Sequence, residues 1–191
     1  FVLVHQGHSP STSPLDSGVA RTVNGLLQQG FSVTVMQMPL FGWNHDQTAT
    51  VPGQGVLTYV DHDDIITMTG PVQGGMGFRL FLEPIIQNIN YFATLTPSLD
   101  VSMTGISGGG WSTHMAAAID TRIRLSIPVA GSAPLYVRNQ DPASVGDLEQ
   151  NYLPLHAEDI APDGTGGGVA TWLELYTLGG YGPGRKQYMV T

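Results

Sequence analysis

The chain contains no cysteine, so neither a disulfide framework nor a thiolate metal site can form. That absence is compatible with any compartment, and nothing else in the sequence fixes a localisation or an oligomeric state. Basic residues are scarce: Lys186 and six arginines stand against 15 acidic side chains, for a formal net charge of −8 at pH 7. They are also scattered, which excludes a nucleic-acid surface, because phosphate neutralisation needs a clustered basic face. No apolar run is long enough to span a bilayer. Neither an internal repeat nor an extended low-complexity tract is present. What remains is 191 residues with 41% hydrophobic content, enough for one globular domain with a substantial core.

Five strand-like runs alternate with helical or loop segments. Phe1–Val4 opens the chain and is followed by the polar turn His5-Gln6-Gly7-His8. A helix is expected from about Ser17, with Val19, Val23, Leu26 and Leu27 on one face and Gly30 as its stop. Phe31–Met38 reads as the second strand. The stretch Phe41–Gly77, which includes Asp61-His62-Asp63-Asp64, reads as loops and short turns. Phe78, Phe81, Leu82, Ile85, Ile89 and Phe92 then recur at three- and four-residue steps, an amphipathic helix in which Pro84 marks a kink or a late start. Leu99–Thr104 is the third strand, His114–Ile119 lies in a small-residue helix, and Leu125–Ala130 is the fourth strand. Gly131–Gly168 is loop-rich, Val169–Leu178 a short helix, and the chain closes on a strand-like run, Lys186–Thr191. This alternation predicts a mainly parallel sheet with helices on both faces. Both termini read as cuts through such a fold, which makes the chain a fragment by expectation.

The pentapeptide Gly105-Ile106-Ser107-Gly108-Gly109 lies where the third strand meets a helix. A serine on a sharp strand-to-helix turn has its hydroxyl held outward, and flanking glycines allow the close packing such a turn needs. The N–H of Gly108, at the start of the helix, would point where an oxyanion forms. The same glycine run does not fit a phosphate loop, which ends in Gly-Lys-Ser/Thr, nor a dinucleotide fingerprint.

Together these features resemble the α/β-hydrolase family, in its serine esterase and peptidase-like members. The elbow corresponds to Gly105–Gly109, and the loop that gives the second oxyanion donor corresponds to His5-Gln6-Gly7-His8. On this likeness Phe1–Val4 is the third strand of the family fold and Lys186–Thr191 its seventh. The resemblance implies a Ser107 nucleophile, oxyanion donors from Gly108 and from Gln6 or Gly7, an ester (less readily an amide) as small-molecule substrate, and no cofactor. It also places the acid and histidine of the triad beyond Thr191, so that the 191 residues alone would be inactive.

Other side chains have candidate roles within this fold. His5, His8 and Trp43 are possible substrate-site residues, and Glu149, after the fourth strand, is an alternative acid. No metal is implied: His5 and His8 have no carboxylate near them in sequence, and Asp61–Asp64 lacks the spacing of a calcium loop. That acidic run is expected to be a solvated loop, His114 a packed helix residue, and His45 and His156 solvated. The alternative function is a non-catalytic α/β-hydrolase-like domain that binds a small molecule or a protein.

Overall fold

The computed structural model of the chain describes residues 1–9, 17–68, 76–96, 100–134, 137, 146–156 and 169–191. The five expected strands form one parallel sheet: β1 (Val2–His5), β2 (Val33–Met36), β5 (Val101–Ile106), β6 (Ile123–Val129) and β7 (Lys186–Gln187), in the order β2-β1-β5-β6-β7. β7 is the shortest, and a further bridge from Val190 to Val129 extends its run.

The period-2 geometry of β1 explains why helices cover both faces. Val2 and Val4 point to one side and pack against Val19 and Val23 of α1 (Ser17–Gln28). Leu3 points to the other and joins Met103 and Val101 of β5 beneath α3 (Met76–Leu95) and α4 (Gly108–Ile119). Ile85, Ile89, Trp111 and Ala116 are fully buried in that second cluster. The α1 stripe is narrower than its sequence suggested, because Leu27 is 52% exposed. Pro84 sits inside α3, eight residues after its start, so the helix does not begin late.

The region from Phe41 to Gly77 departs from the expected loops. Thr48–Val51 (β3) and Gly55–Thr58 (β4) form an antiparallel hairpin, and His62–Met68 forms α2. The acidic run is the start of that helix rather than a solvated loop. Asp61 Oδ1 accepts the N–H of Asp64 at 3.0 Å, and Asp63 and Asp64 lie in the first turn, where the helix dipole favours negative charge. Ile65 and Ile66 then anchor α2 in the core.

In the second loop-rich region two short helices are described, α5 (Leu148–Asn151) and α6 (Leu153–His156). His156 is not solvated: it is fully buried and stacks on Trp172 at 4.6 Å between ring centroids. Trp172 opens α7 (Trp172–Gly180), whose start is fixed by a reciprocal cap between Thr171 and Glu174. His114 is packed as expected, within hydrogen-bond reach of Ser132. Among the described residues no helix is long and apolar enough to cross a membrane.

Ile85 has no exposed surface, so truncation leaves a cavity between α3 and the sheet. Ile85→Ala is expected to lower unfolding free energy by about 3 kcal/mol in urea denaturation. A loss under about 1 kcal/mol would show that α3 does not pack as described.

Candidate active site

β1 connects outward to β2 on one side and lies against β5 on the other, so the strand order reverses between β1 and β5. Open parallel sheets bind ligands beyond the carboxyl ends of the strands at such a reversal. Two segments leave the sheet there: residues 6–8 after β1, and Ser107 after β5.

Ser107 occupies the single residue between β5 and α4, at φ 56° and ψ −126°. A non-glycine residue in that region costs roughly 1–3 kcal/mol and persists only where its surroundings impose it. Here they do so through the backbone. Ser107 N–H donates to Val129 O at 2.9 Å, and Ser107 O accepts from Gly110 N at 2.8 Å and Trp111 N at 3.1 Å. The helix can start this close to the sheet because Gly105 and Gly109 lack side chains; a Cβ on Gly109 would overlap the His5 carbonyl. Ser107 itself is exposed.

The loop after β1 lies directly against this turn. A Cβ built on Gly7 would be 2.9 Å from Ser107 Cβ and 3.1 Å from Gly108 N. Among the described residues neither the Gly7 nor the Gly108 N–H has a hydrogen-bond partner. Gln6 differs: its N–H donates to Met36 O at 2.8 Å, and its side-chain oxygen accepts from Gln37 Nε2 at 3.2 Å. Of the two donors expected on this loop, Gln6 is therefore committed to the scaffold and Gly7 is free.

His8 follows at once and borders the same depression as Ser107, together with Ala130, Ala133, Gly146 and Asp147. Its ring lies over Gly108, where any Cβ would overlap it. Its Nε2 is 2.7 Å from Asp147 Oδ2, 3.2 Å from Glu149 Oε1 and 3.1 Å from His62 Nδ1. Glu149 is fully buried and 3.3 Å from His62 Nδ1 through its other oxygen. Burial opposes charge on His8, but hydrogen bonds and the charges of Asp147 and Glu149 outweigh it and raise its pKa to about 9. Burial likewise opposes charge on Glu149, yet the hydrogen bonds and charges of His62 and His8 lower it to about 2. His5 sits 2% exposed with Nδ1 bonded to Gln6 O, and burial lowers its pKa to about 4.

The fold thus gathers Ser107, Gly108, Gly7 and His8 at one place and brings Glu149 within reach of His8 from a distant segment. Trp43 is not part of that group: it is 71% exposed and borders a separate hollow with His5, Gln37 and Tyr59. The sequence alone assigns neither His62 nor Asp147 to this group. The Asp-x-x-Asp cap before Ile65-Ile66 would have placed His62 on a helix, but nothing local signals its approach to His8.

In the metal-free protein, Glu149→Gln removes a charge beside His8 while keeping its shape. The His8 pKa is expected to fall from about 9 toward the ordinary value of 6.5, read by NMR titration. The wild-type pair also sets a pH window. His8, raised when folded, contributes stability that is complete below pH 6.5 and lost as pH rises through about 9. Glu149, lowered when folded, contributes stability that is complete above pH 4.5 and lost as pH falls toward about 2. An unchanged His8 titration in Glu149→Gln would contradict this coupling.

No protein-family model matches the chain, and no curated protein matches its sequence. Among solved structures it is similar to acetyl xylan esterase 1 from a Thermoanaerobacterium species, with a TM-score of 0.51 and 22% identity. The match covers 93% of this chain and 52% of that one, so the chain spans about half the length of the esterase. At this identity the likeness is one of fold: a mainly parallel α/β sheet of the kind that esterase carries.

Proposed function

We propose that the chain carries the nucleophile and oxyanion-binding half of a serine esterase. The observation that supports it most is the junction of a strained, exposed Ser107 with two backbone N–H groups, those of Gly7 and Gly108, that have no partner among the described residues. Ser107 Oγ attacks the carbonyl carbon of a carboxylic ester, and the carbonyl oxygen becomes an oxyanion between the two N–H donors. Loss of one such donor typically costs about 3 kcal/mol of transition-state stabilisation, or roughly 100-fold in rate. The bond to the alcohol oxygen breaks as that oxygen is protonated, leaving an acyl-Ser107 that water then hydrolyses.

A histidine base must take the Ser107 proton. His8 does not suit that role, because its Nε2 is engaged by the carboxylates of Asp147 and Glu149. Glu149 is equally committed to His8 and His62. In this reading the acid and histidine follow Thr191, as the family resemblance implies. The fold likeness to an acetyl xylan esterase favours an ester over an amide. The binding-only alternative predicts a serine that no mechanism-based reagent modifies.

In the full-length protein a fluorophosphonate is expected to label Ser107 and no other residue, with label and ester turnover both lost in Ser107→Ala. Gly7→Ala, whose Cβ overlaps the Ile106 carbonyl and crowds Ser107 and Gly108, displaces the loop and is expected to lower turnover by about 100-fold with secondary structure intact by circular dichroism. The 191-residue chain alone is expected to turn over p-nitrophenyl acetate negligibly. An unlabelled Ser107 in an active full-length enzyme would contradict the assignment, and robust Ser107-dependent turnover by the short chain would place the base within it.

A further inference from the structure

His8, His62, Asp147 and Glu149 come from three segments far apart in sequence: the loop after β1, the first turn of α2, and the start of α5. One donor atom from each lies within 4.8 Å of every other. Three of the four residues are poorly accessible: Glu149 and His62 are buried, and the His8 side chain is 18% exposed. Asp147, at 51%, is the most exposed of the four.

Protons alone satisfy this group badly. His62 Nε2 lies 2.9 Å from Pro39 O, a contact only a donor can make, so Nε2 carries a hydrogen. In the neutral ring Nδ1 is then a lone pair facing Glu149 Oε2, which in that state leaves the buried oxygen without a donor among the described residues. If both rings are instead charged, two N–H groups confront one another at 3.1 Å. A divalent cation removes the conflict: it accepts all four lone pairs and offsets both carboxylate charges. The donor set of two imidazoles and two carboxylates, gathered within 4.8 Å, is one that a small tetrahedral ion takes. Bonds of about 2.0–2.1 Å give ligand-to-ligand edges of roughly 3.3 Å, and His8 Nε2 lies 3.1 Å from His62 Nδ1 and 3.2 Å from Glu149 Oε1. On binding, the exposed Asp147 carboxylate, now 2.7 Å from His8 Nε2, draws back to the fourth position. Two imidazoles among four ligands disfavour calcium and magnesium, which take oxygen donors in larger number. The bond from His62 to Pro39 O is the outer contact that orients a metal-bound imidazole.

We propose that these four residues form a closed, tetrahedral site for a divalent transition-series cation of the zinc type. Four protein ligands leave no position for substrate, so the ion is structural. It clamps α2 and α5 to the β1 loop and so fixes His8 over Gly108 and Gly7 beside Ser107. The site is independent of the esterase reading, since Ser107 is not among its ligands.

Full-length protein stripped with a chelator is expected to take up one Zn2+ per chain. Co2+ in its place should give the intense visible bands of four-coordinate geometry. Asp147→Asn, at the accessible ligand, is expected to weaken Zn2+ binding at least ~10-fold with an unchanged far-ultraviolet circular dichroism spectrum. Glu149→Gln should do the same or more, whereas Ser107→Ala should bind Zn2+ as the wild type does. Failure of the stripped protein to bind Zn2+ stoichiometrically would overturn the proposal. So would affinity and a Co2+ spectrum that both survive Asp147→Asn and Glu149→Gln.

Discussion

Ser107 is held at a positive φ by hydrogen bonds on both of its peptide groups, one to β6 and two from the first turn of α4. That local constraint orders the surroundings. It brings the N-terminus of α4 against the sheet, which is possible only because glycines occupy the contact positions around it. It ends β5 abruptly, so that the serine side chain emerges at the sheet edge instead of continuing the strand. It also places the Gly108 N–H beside the Gly7 loop, and that juxtaposition is the chemical content of the site.

The other half of the site is electrostatic. A buried carboxylate such as Glu149 is costly unless cations or donors surround it, and an unsatisfied one is among the most destabilising features a core can hold. Here the fold answers with two imidazoles and leaves one carboxylate edge, that of Asp147, near solvent. The group joins segments separated by up to 141 residues, and it borders the loop that carries Gly7. The backbone geometry of the Ser107 turn and the charge balance of the cluster are therefore neighbours, with the His8 ring the physical contact between them.

Much of the architecture was legible in the sequence because its signals are local. β1 and β5 show as short apolar runs, α1 and α3 as 3.6-residue periodicity, and the tight strand-to-helix turn at Ser107 as glycines at fixed offsets from a serine. The parallel order follows from alternation of strands and helices. What stayed hidden depends on contacts across the chain. The β3–β4 hairpin is short and largely exposed, so its sequence carries little apolar alternation. His156 sits in a segment with no periodicity, and only its stacking on Trp172 buries it. His8 and Glu149 were each singled out, but for different roles. Their meeting with His62 and Asp147 is a property of the fold, as is the diversion of the Gln6 N–H into the sheet beside Met36.

The proposed function requires Ser107 and the two glycine N–H groups to act on one reacting atom. A crystal structure of the full-length protein after reaction with a phosphonate ester tests it most directly. The account predicts a phosphorus–Oγ bond at Ser107, with one phosphoryl oxygen about 2.7–3.1 Å from both the Gly7 and the Gly108 nitrogens. A phosphonate bound to another residue, or one on Ser107 whose oxygens face away from both N–H groups, would contradict it.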